Sequence, residues 1–554
     1  MTIRDFFDNS TIGQSGRIAQ RFFRKGSLCG KTYAELRANV LRLASAIRVR
    51  GIKPGQDNVA LILENCPEWP EIYLALACIG VTAVPVDPKL RPREMAFILG
   101  DSGAKAVFCG AKLAATMAEL KNGLPALSLC ITVGGDETGS QNADKPTALE
   151  TISLPQFLDG AGTEPGFDGL PKPDEDTVAS LIYTSGTTGT PKGVILTHGN
   201  FASDTLAAVV PVKFCKEDNF LAVLPFFHTY SFTGNILLPL CQGGCMSFVR
   251  SIKTIGEDMK ALRPTILMAV PLLAEKIYAK IEKGIRSNPL ARLLVAIGLG
   301  KLVGRKVVKG FGGALRFIAI GGAPADAKVI SGLVKIGIST LEGYGLTECS
   351  PLVCYPTPET FKIGTVGKVL PCMESKLEDC DSTGAGELCV KGPNVMKGYY
   401  NNPEATAKAF DSDGFLHTGD LARIDAEGNV TICGRRKAMI VNREGKNIYP
   451  EEIEQLISRS PLVAESLALG YKVGDENGER VGLIVQPDEE KCAATGEPKS
   501  RWDVLVSREI ERICKLGLAA YKIPRKIVVR HLPFELTSTM KVRRVKYNGS
   551  LDEK

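Results

Sequence analysis

The densest run of chemically competent side chains is residues 179–193, Ala-Ser-Leu-Ile-Tyr-Thr-Ser-Gly-Thr-Thr-Gly-Thr-Pro-Lys-Gly. Leu181 to Tyr183 reads as a buried strand that opens into a loop of Thr184, Ser185, Gly186, Thr187, Thr188 and Gly189. Hydroxyls and backbone N–H groups crowd this loop. Its glycines let the chain curl close to an oxyanion, so that several N–H groups can point at one phosphate. Lys192 adds a full positive charge just beyond. The spacing Gly-x-x-Gly-x-x-Lys-Gly is not that of a Walker A loop, and no hydroxyl follows the lysine. The competing interpretation is a polar, Gly-rich turn between two strands.

Three further stretches supply what a nucleotide would need. Leu341-Glu-Gly-Tyr-Gly-Leu-Thr-Glu348 places Gly343 and Gly345 around Tyr344, then offers the Thr347 hydroxyl and the Glu348 carboxylate. Tyr344 can stack on a purine, and Glu348 suits Mg²⁺, which takes carboxylate and phosphate oxygens. Phe317-Ile-Ala-Ile-Gly-Gly-Ala-Pro324 is a strand ending in a diglycine, where a flat ring can approach the backbone at Gly322 and Ala323. In His417-Thr-Gly-Asp420 the carboxylate can accept from ribose hydroxyls, and Arg435 can add donors. The alternative for each charge is a solvated surface residue.

A fifth stretch is apolar. Leu224-Pro-Phe-Phe-His-Thr-Tyr-Ser-Phe232 sets His228 among Phe226, Phe227, Tyr230 and Phe232. That is either a pocket for an apolar group or a core-edge histidine satisfied by a carbonyl.

The elements that must position these groups are legible in outline. At 554 residues the chain exceeds one core and splits into two or more domains. A hydrophobic share of 44% with 23% charged residues is that of an ordinary globular protein, and a net charge of +7 is too small for this length to point to nucleic acid. Sixteen scattered cysteines without Cys-x-x-Cys, and only four histidines, argue against a zinc site and for a reducing cytoplasm. The acidic start Met1-Thr-Ile-Arg-Asp-Phe-Phe-Asp does not resemble a signal peptide. The longest apolar stretch, 72–86, falls short of the roughly 18 residues a spanning helix needs.

Along the chain, 31–50 reads as a helix capped by Thr32, 59–63 as a strand, 67–79 as a helix, 81–86 as a strand, 93–99 as a helix and 106–109 as a strand. Such alternation predicts a parallel sheet covered on both faces. Residues 135–178 read as a surface excursion. Lys283 to Lys309 carries seven basic residues and no acidic one among leucines, a pattern able to lie on an anionic membrane or to form an ordinary surface helix. Beyond Lys437, a short strand, a helix from Tyr449 with Pro450 in its first turn, strands near 465–469 and 483–486 and a helix from Trp502 make a small α+β unit.

Tyr183 to Gly193 resembles the phosphate-loop signature of the adenylate-forming superfamily: acyl-CoA synthetases, peptide-synthetase adenylation domains and luciferases. The other stretches occur in that superfamily's order, and Asn65-Cys-Pro-Glu-Trp69 is also similar to it. Leu532-Pro-Phe-Glu-Leu-Thr-Ser-Thr-Met-Lys541-Val-Arg-Arg544 resembles its C-terminal Leu-Pro…Thr-x-Thr-Gly-Lys-x-x-Arg signature, with Met540 in place of the usual glycine. The chain is most similar to medium- and long-chain fatty acid–CoA ligases.

The resemblance implies an α/β fold. A large N-terminal domain, 1–435, would hold packed α/β subdomains and a β-subdomain, followed by a mobile α+β lid, 436–554, hinged at Lys437. It implies ATP held by Thr184, Ser185, Gly186, Thr187, Thr188 and Lys192, with Gly322, Ala323, Gly343, Tyr344, Gly345 and Thr347 near the base. Asp420 and Arg435 would meet the ribose, Ile432 would join them in binding ATP/AMP, and Mg²⁺ would lie at Thr184 and Glu348. Lys541 would bridge the carboxylate and the α-phosphate as the principal catalytic residue, with Glu348 and His228. Phe226, Phe227, His228, Phe232 and Gly322 would line the acyl pocket, and His228, Gly445 and Lys446 would meet coenzyme A.

The activity so implied is ATP-dependent conversion of a carboxylic acid through acyl-AMP to acyl-CoA. The alternatives are an aromatic or alicyclic acid as substrate, or a carrier protein as acceptor. The partners so implied are the acid, ATP and CoA, with no nucleic acid. The enzyme would be a cytoplasmic monomer or homodimer, with peripheral membrane contact through 283–309.

Overall fold

The computed structural model describes residues 1–134, 149–159, 169, 172–184, 191–444, 446–473, 478–535, 542–549 and 551. The chain divides into two compact units, 1–374 with 391–416, and 375–390 with 417–554.

In the first unit, the helix Tyr33–Val49 starts where the Thr32 side chain accepts from the Glu35 N–H while the Glu35 carboxylate accepts from the Thr32 N–H. This capping box satisfies two backbone donors that a helix start leaves open. The helix turns Leu36, Val40, Leu43 and Ile47 inward, the face read from their spacing. The helix Glu68–Cys78 is buried on nearly every side, consistent with its almost continuous apolar sequence.

An eight-stranded sheet forms the first layer. Its strands run, in spatial order, Gly398–Tyr399, Lys192–Thr197, Val178–Thr184, Thr82–Pro85, Asn58–Ile62, Ala104–Gly110, Leu129–Val133 and Glu150–Ser153. From Val178–Thr184 to Glu150–Ser153 every pairing is parallel; the two at the other edge are antiparallel. Ala60, Ile62, Val84, Val107 and Leu181 share one core cluster with Met95, Ile98 and Leu99 from the helix Pro92–Asp101. Each such large side chain stabilises the fold by about 1.5–3 kcal/mol on burial.

A seven-stranded sheet follows the order Ser339–Glu342, Phe317–Ile320, Ile266–Ala269, Asn219–Ala222, Cys245–Phe248, Ile18–Arg24 and Ser27–Thr32. Only its final pairing, a hairpin, is antiparallel. Both sheets therefore have the largely parallel character expected from the alternation of strands and helices.

The stretch 135–178 departs from expectation. Glu150–Ser153 is an edge strand, and Leu154–Leu158 a short helix capped by Ser153. Four residues of mixed polarity leave no period to read, and an edge strand needs to bury only one side. Residues 135–148 lie outside the described residues.

In the second unit, Glu374–Glu378, Gly386–Lys391, Leu416–Ile424 and Val430–Arg435 form a four-stranded sheet in that order. Val463–Tyr471 pairs antiparallel with Arg480–Pro487, which pairs parallel with Lys526–Val529. The helices Pro450–Ile457 and Trp502–Gly517 supply Ile453, Ile457, Val506 and Ile510 to a core with Leu483 and Val485. The expected boundary lay at 435/436; by internal contacts the second unit also takes in 375–390 and 417–435.

Candidate functional site

The strands Val178–Thr184 and Lys192–Thr197 form a hairpin in which Thr184 pairs directly with Lys192. The loop they close, 185–190, lies outside the described residues, and Ser185, Gly186, Thr187 and Thr188 with it. Its two posts are in place, a hydroxyl facing an ammonium across one ladder position.

Lys192 is further organised from the sheet edge. Tyr399 pairs with Val194 on the neighbouring strand, and Lys192 Nζ lies 4.9 Å from the centroid of the Tyr399 ring, a cation–π contact. The Tyr399 hydroxyl donates to Glu348 Oε1 at 2.9 Å. Burial, then the neighbouring Glu348 charge, hold the Tyr399 hydroxyl protonated far above its ordinary range, so it remains a donor. Lysine, phenol and carboxylate thus form one array in the first unit. No sequence motif pointed to Tyr399.

Glu348 sits in the short turn Thr347–Cys349, and its carbonyl accepts from the Met396 N–H at 2.8 Å. Just beyond, the Leu352 N–H and Asn394 Nδ2 both donate to Asp204 Oδ1, at 3.0 and 3.2 Å. Complete burial pushes the Asp204 carboxyl well above the usual carboxylate range, and the two donors it accepts from pin this segment. The flanking glycines answer to the chain itself: a Cβ on Gly345 would sit 2.0 Å from the Pro351 carbonyl oxygen, and one on Gly343 2.8 Å from the Tyr355 ring. They hold Tyr344, half-buried and paired with Cys354, in the short strand Tyr344–Gly345.

The diglycine behaves as expected of a close-approach site. Gly322 has φ +87°, where a side chain would be strained. Beyond it, the Ala325 N–H donates to Glu342 Oε1 at 2.9 Å, and burial pushes that carboxyl up to about 7.

The aromatic stretch divides in two. His228 precedes the helix Thr229–Phe232, is half-buried, and lies with its ring 4.4 Å from that of Phe227. The Tyr230 hydroxyl donates to the Ala319 carbonyl at 3.0 Å. Phe226 and Phe232, expected to line an acyl pocket, are each 1% exposed. Their rings pack on Trp69, Phe248, Tyr73 and Phe201 at centroid distances of 4.4–6.1 Å. Both rings are buried within this aromatic cluster, in tilted and edge-to-face contacts.

In the second unit, Asp420 and Arg435 are direct cross-strand partners, and Arg435 Nε donates to Asp420 Oδ1 at 2.7 Å. The Asp420 side chain is 5% exposed and that of Arg435 55%, so a buried carboxylate is presented beneath an exposed guanidinium. Ile432 pairs with Ala422 on the same two strands. Lys437 lies in the turn Arg436–Ala438. Lys446 pairs with Glu444 at 2.6 Å and lies over the Tyr521 ring; both charges are exposed, so another anion can replace Glu444 at small cost. Gly445 and Lys541 lie outside the described residues.

A hard dication fits the first unit's donors, since the Glu348 carboxylate and the Thr184 hydroxyl are the oxygen ligands Mg²⁺ takes. A phosphate-rich ligand fits the hairpin posts, and a sugar diol fits Asp420 with Arg435. A family model described as AMP-binding enzyme matches residues 12–400. The chain is an AMP-binding enzyme.

Among its relatives, this AMP-binding enzyme is 32% identical over 502 residues to Long-chain-fatty-acid--CoA ligase 6 of Mus musculus, covering 84% of this chain and 71% of that one. It is 29% identical over 494 residues to the peroxisomal Long chain acyl-CoA synthetase 7 of Arabidopsis thaliana, covering 84% and 69%. Among solved structures, ATP-bound MatB from Rhodopseudomonas palustris superposes with a TM-score of 0.79 at 26% identity over 99% of both chains.

Proposed function

We propose that this AMP-binding enzyme is an AMP-forming acyl-CoA synthetase for medium- or long-chain fatty acids. The observation that carries the proposal is the Lys192–Tyr399–Glu348 array at the posts of the Thr184–Lys192 hairpin, a fixed cation beside a fixed carboxylate where a triphosphate with its metal would need both. The names of the long-chain relatives support the choice of acid.

A fatty carboxylate is a competent nucleophile and a poor acylating agent. Its oxygen attacks the α-phosphorus of ATP, pyrophosphate leaves and acyl-AMP forms. The CoA thiolate then attacks the acyl carbonyl and AMP leaves. In this scheme Thr184, the loop 185–188 and Lys192 hold the triphosphate, and Glu348 with Thr184 holds Mg²⁺, which supplies charge neutralisation when bound. Tyr344, Gly343, Thr347, Gly322 and Ala323 receive the base, and Asp420, Arg435 and Ile432 the ribose. Lys541 draws the carboxylate to the α-phosphate. Phe227, His228 and Gly322 meet the acyl group in front of Phe226 and Phe232. His228, Gly445 and Lys446 receive CoA after 436–554 turns about Lys437.

The test is AMP release from ATP across a panel of carboxylic acids, with and without CoA. AMP appears only with CoA. Because each buried methylene is worth about 0.8 kcal/mol, kcat/KM climbs with chain length to about eight carbons or more. Turnover confined to aromatic or alicyclic acids overturns the substrate; adenylate accumulating without CoA moves the acceptor to a carrier protein.

The proposal extends to a cytoplasmic enzyme working at a membrane surface. The helices Pro271–Ser287, Pro289–Ala296 and Gly300–Gly310 carry the basic segment, and Leu290, Leu293, Ile297, Leu299 and Leu302 on it are 46–64% exposed. Leucines left in water among seven cations suit an anionic bilayer. Among the described residues no helix is long and apolar enough to cross a membrane. At low salt the protein sediments with anionic liposomes, and Leu293→Glu with Ile297→Glu abolishes this. Equal sedimentation with and without liposomes overturns it.

A further inference from the structure

From residues outside the proposed nucleotide site, we propose that the second unit holds a zinc-type divalent cation on Glu378, Cys389 and His417. The three come from neighbouring strands of the four-stranded sheet: Glu374–Glu378, Gly386–Lys391 and Leu416–Ile424. One ligand atom from each lies within 4.8 Å of the other two. Cys389 Sγ is 3.4 Å from His417 Nδ1, and Glu378 Oε2 is 4.0 Å from the same nitrogen. Glu387, two positions before Cys389 and so on the same face, brings its Oε2 to 3.4 Å from His417 Nδ1.

The spacing separates a cation site from a hydrogen-bond network. One Nδ1 can donate a single hydrogen bond, and an N–H···O bond has its mode near about 2.9 Å. Here a sulfur and two carboxylates converge on that nitrogen, the carboxylates at 3.4 and 4.0 Å. Ligands at zinc-like bond lengths, about 2.0–2.3 Å, stand about 3.3–3.7 Å apart at the corners of a tetrahedron. The Cys389–His417 distance falls in that range, and Glu378, at 4.0 Å from the same nitrogen, stands just outside it.

The chemistry of the set selects the ion. A thiolate, an imidazole and a carboxylate together suit a borderline-soft dication of the zinc, cobalt or copper kind, whereas Mg²⁺ takes an all-oxygen shell. Outer contacts orient the set as ligand-supporting groups do: the Gly419 N–H donates to Glu387 Oε1 at 3.0 Å, Arg436 grips Oε2 of the same carboxylate, and Lys376 pairs with Glu378 at 2.7 Å. Lys376 and Glu378 are each about one-third exposed, so the ammonium can withdraw into water when a cation takes its place. Cys389 is buried and His417 28% exposed, which leaves the ion a route from the imidazole side. The site escapes sequence inspection because its ligands meet across strands and not within one short loop.

The test uses the metal-stripped full-length protein, with Co²⁺ as a spectroscopic probe and Zn²⁺ as competitor. One Co²⁺ binds per chain, a sulfur-to-cobalt charge-transfer band appears, and Zn²⁺ displaces it. Cys389→Ser loses that band, and Glu378→Gln keeps the band but weakens Zn²⁺ binding about tenfold or more. Should Cys389→Ser fail to fold, the partly exposed Glu378 position decides alone. Absence of the band, its persistence in folded Cys389→Ser, or unchanged Zn²⁺ affinity in Glu378→Gln overturns the site.

Discussion

Glu348→Gln lowers kcat/KM for ATP in acid-dependent AMP release by about 10²–10³-fold, the usual size of removing one preorganised electrostatic group from a reacting centre. The substitution keeps the side chain's shape and can still accept from the Tyr399 hydroxyl, which donates to Glu348 at 2.9 Å. What it removes is a full negative charge facing the place assigned to Mg²⁺. The loss therefore appears also as weaker Mg²⁺-dependent nucleotide binding in calorimetry. Tyr399→Phe is the informative companion. It keeps the ring beneath Lys192, 4.9 Å from Nζ, and removes only the hydroxyl. A hydrogen bond to a charged group is worth about 1.5–3 kcal/mol, so Tyr399→Phe raises the Mg²⁺ needed for half-maximal nucleotide binding by about tenfold or more, with a small change in kcat at saturating Mg²⁺. Wild-type Mg²⁺ dependence in both variants would remove Glu348 from the metal's shell.

This contrast shows which parts of the site were legible in the sequence. Thr184, Lys192, Glu348, Asp420 and Arg435 stood out because each sits in a dense local pattern of glycines, hydroxyls or charges, and the fold places Thr184 against Lys192 and Asp420 against Arg435. Tyr399 did not, because its role comes from a two-residue edge strand whose partners, Val194 and Glu348, are remote in the chain. Phe226 and Phe232 were legible as aromatic but their packing was not: composition does not show that their rings meet Trp69 and Tyr73. Gly343 and Gly345 read as glycines flanking Tyr344 in a nucleotide site, and their tightest constraints are Tyr355 and the Pro351 carbonyl. The parallel sheets were legible because buried strands and amphipathic helices alternate at regular intervals. The strand Glu150–Ser153 was not, since four residues of mixed polarity carry no period. Glu378, Cys389 and His417 mark the same limit for metals: counting cysteines and histidines by spacing detects loop-built sites and misses those assembled across a sheet.

Lys541→Ala divides the reaction in two. Acyl-AMP formation from acid and ATP falls by about 10³-fold or more, while thioester formation from supplied acyl-AMP and CoA stays within about tenfold of wild type. The asymmetry follows from charge. In the first half-reaction a carboxylate must approach an α-phosphate of the same sign; two such charges about 4 Å apart repel by about 1 kcal/mol in water and about 4 kcal/mol at the effective dielectric of a protein site. An ammonium between them turns that repulsion into attraction, and no neutral side chain does so. In the second half-reaction the thiolate attacks a neutral, already activated carbonyl carbon and not the anionic phosphate itself, and AMP departs with its own charge, so a bridging cation matters less. Single-turnover measurement of each half-reaction separates the two. Loss of both halves would make Lys541 a structural residue, and survival of both would give the carboxylate-steering role to another cation. Met540 sharpens the test. If the residue before the lysine sets only the loop's shape, Met540→Gly changes the rate of adenylation and leaves its dependence on Lys541 intact.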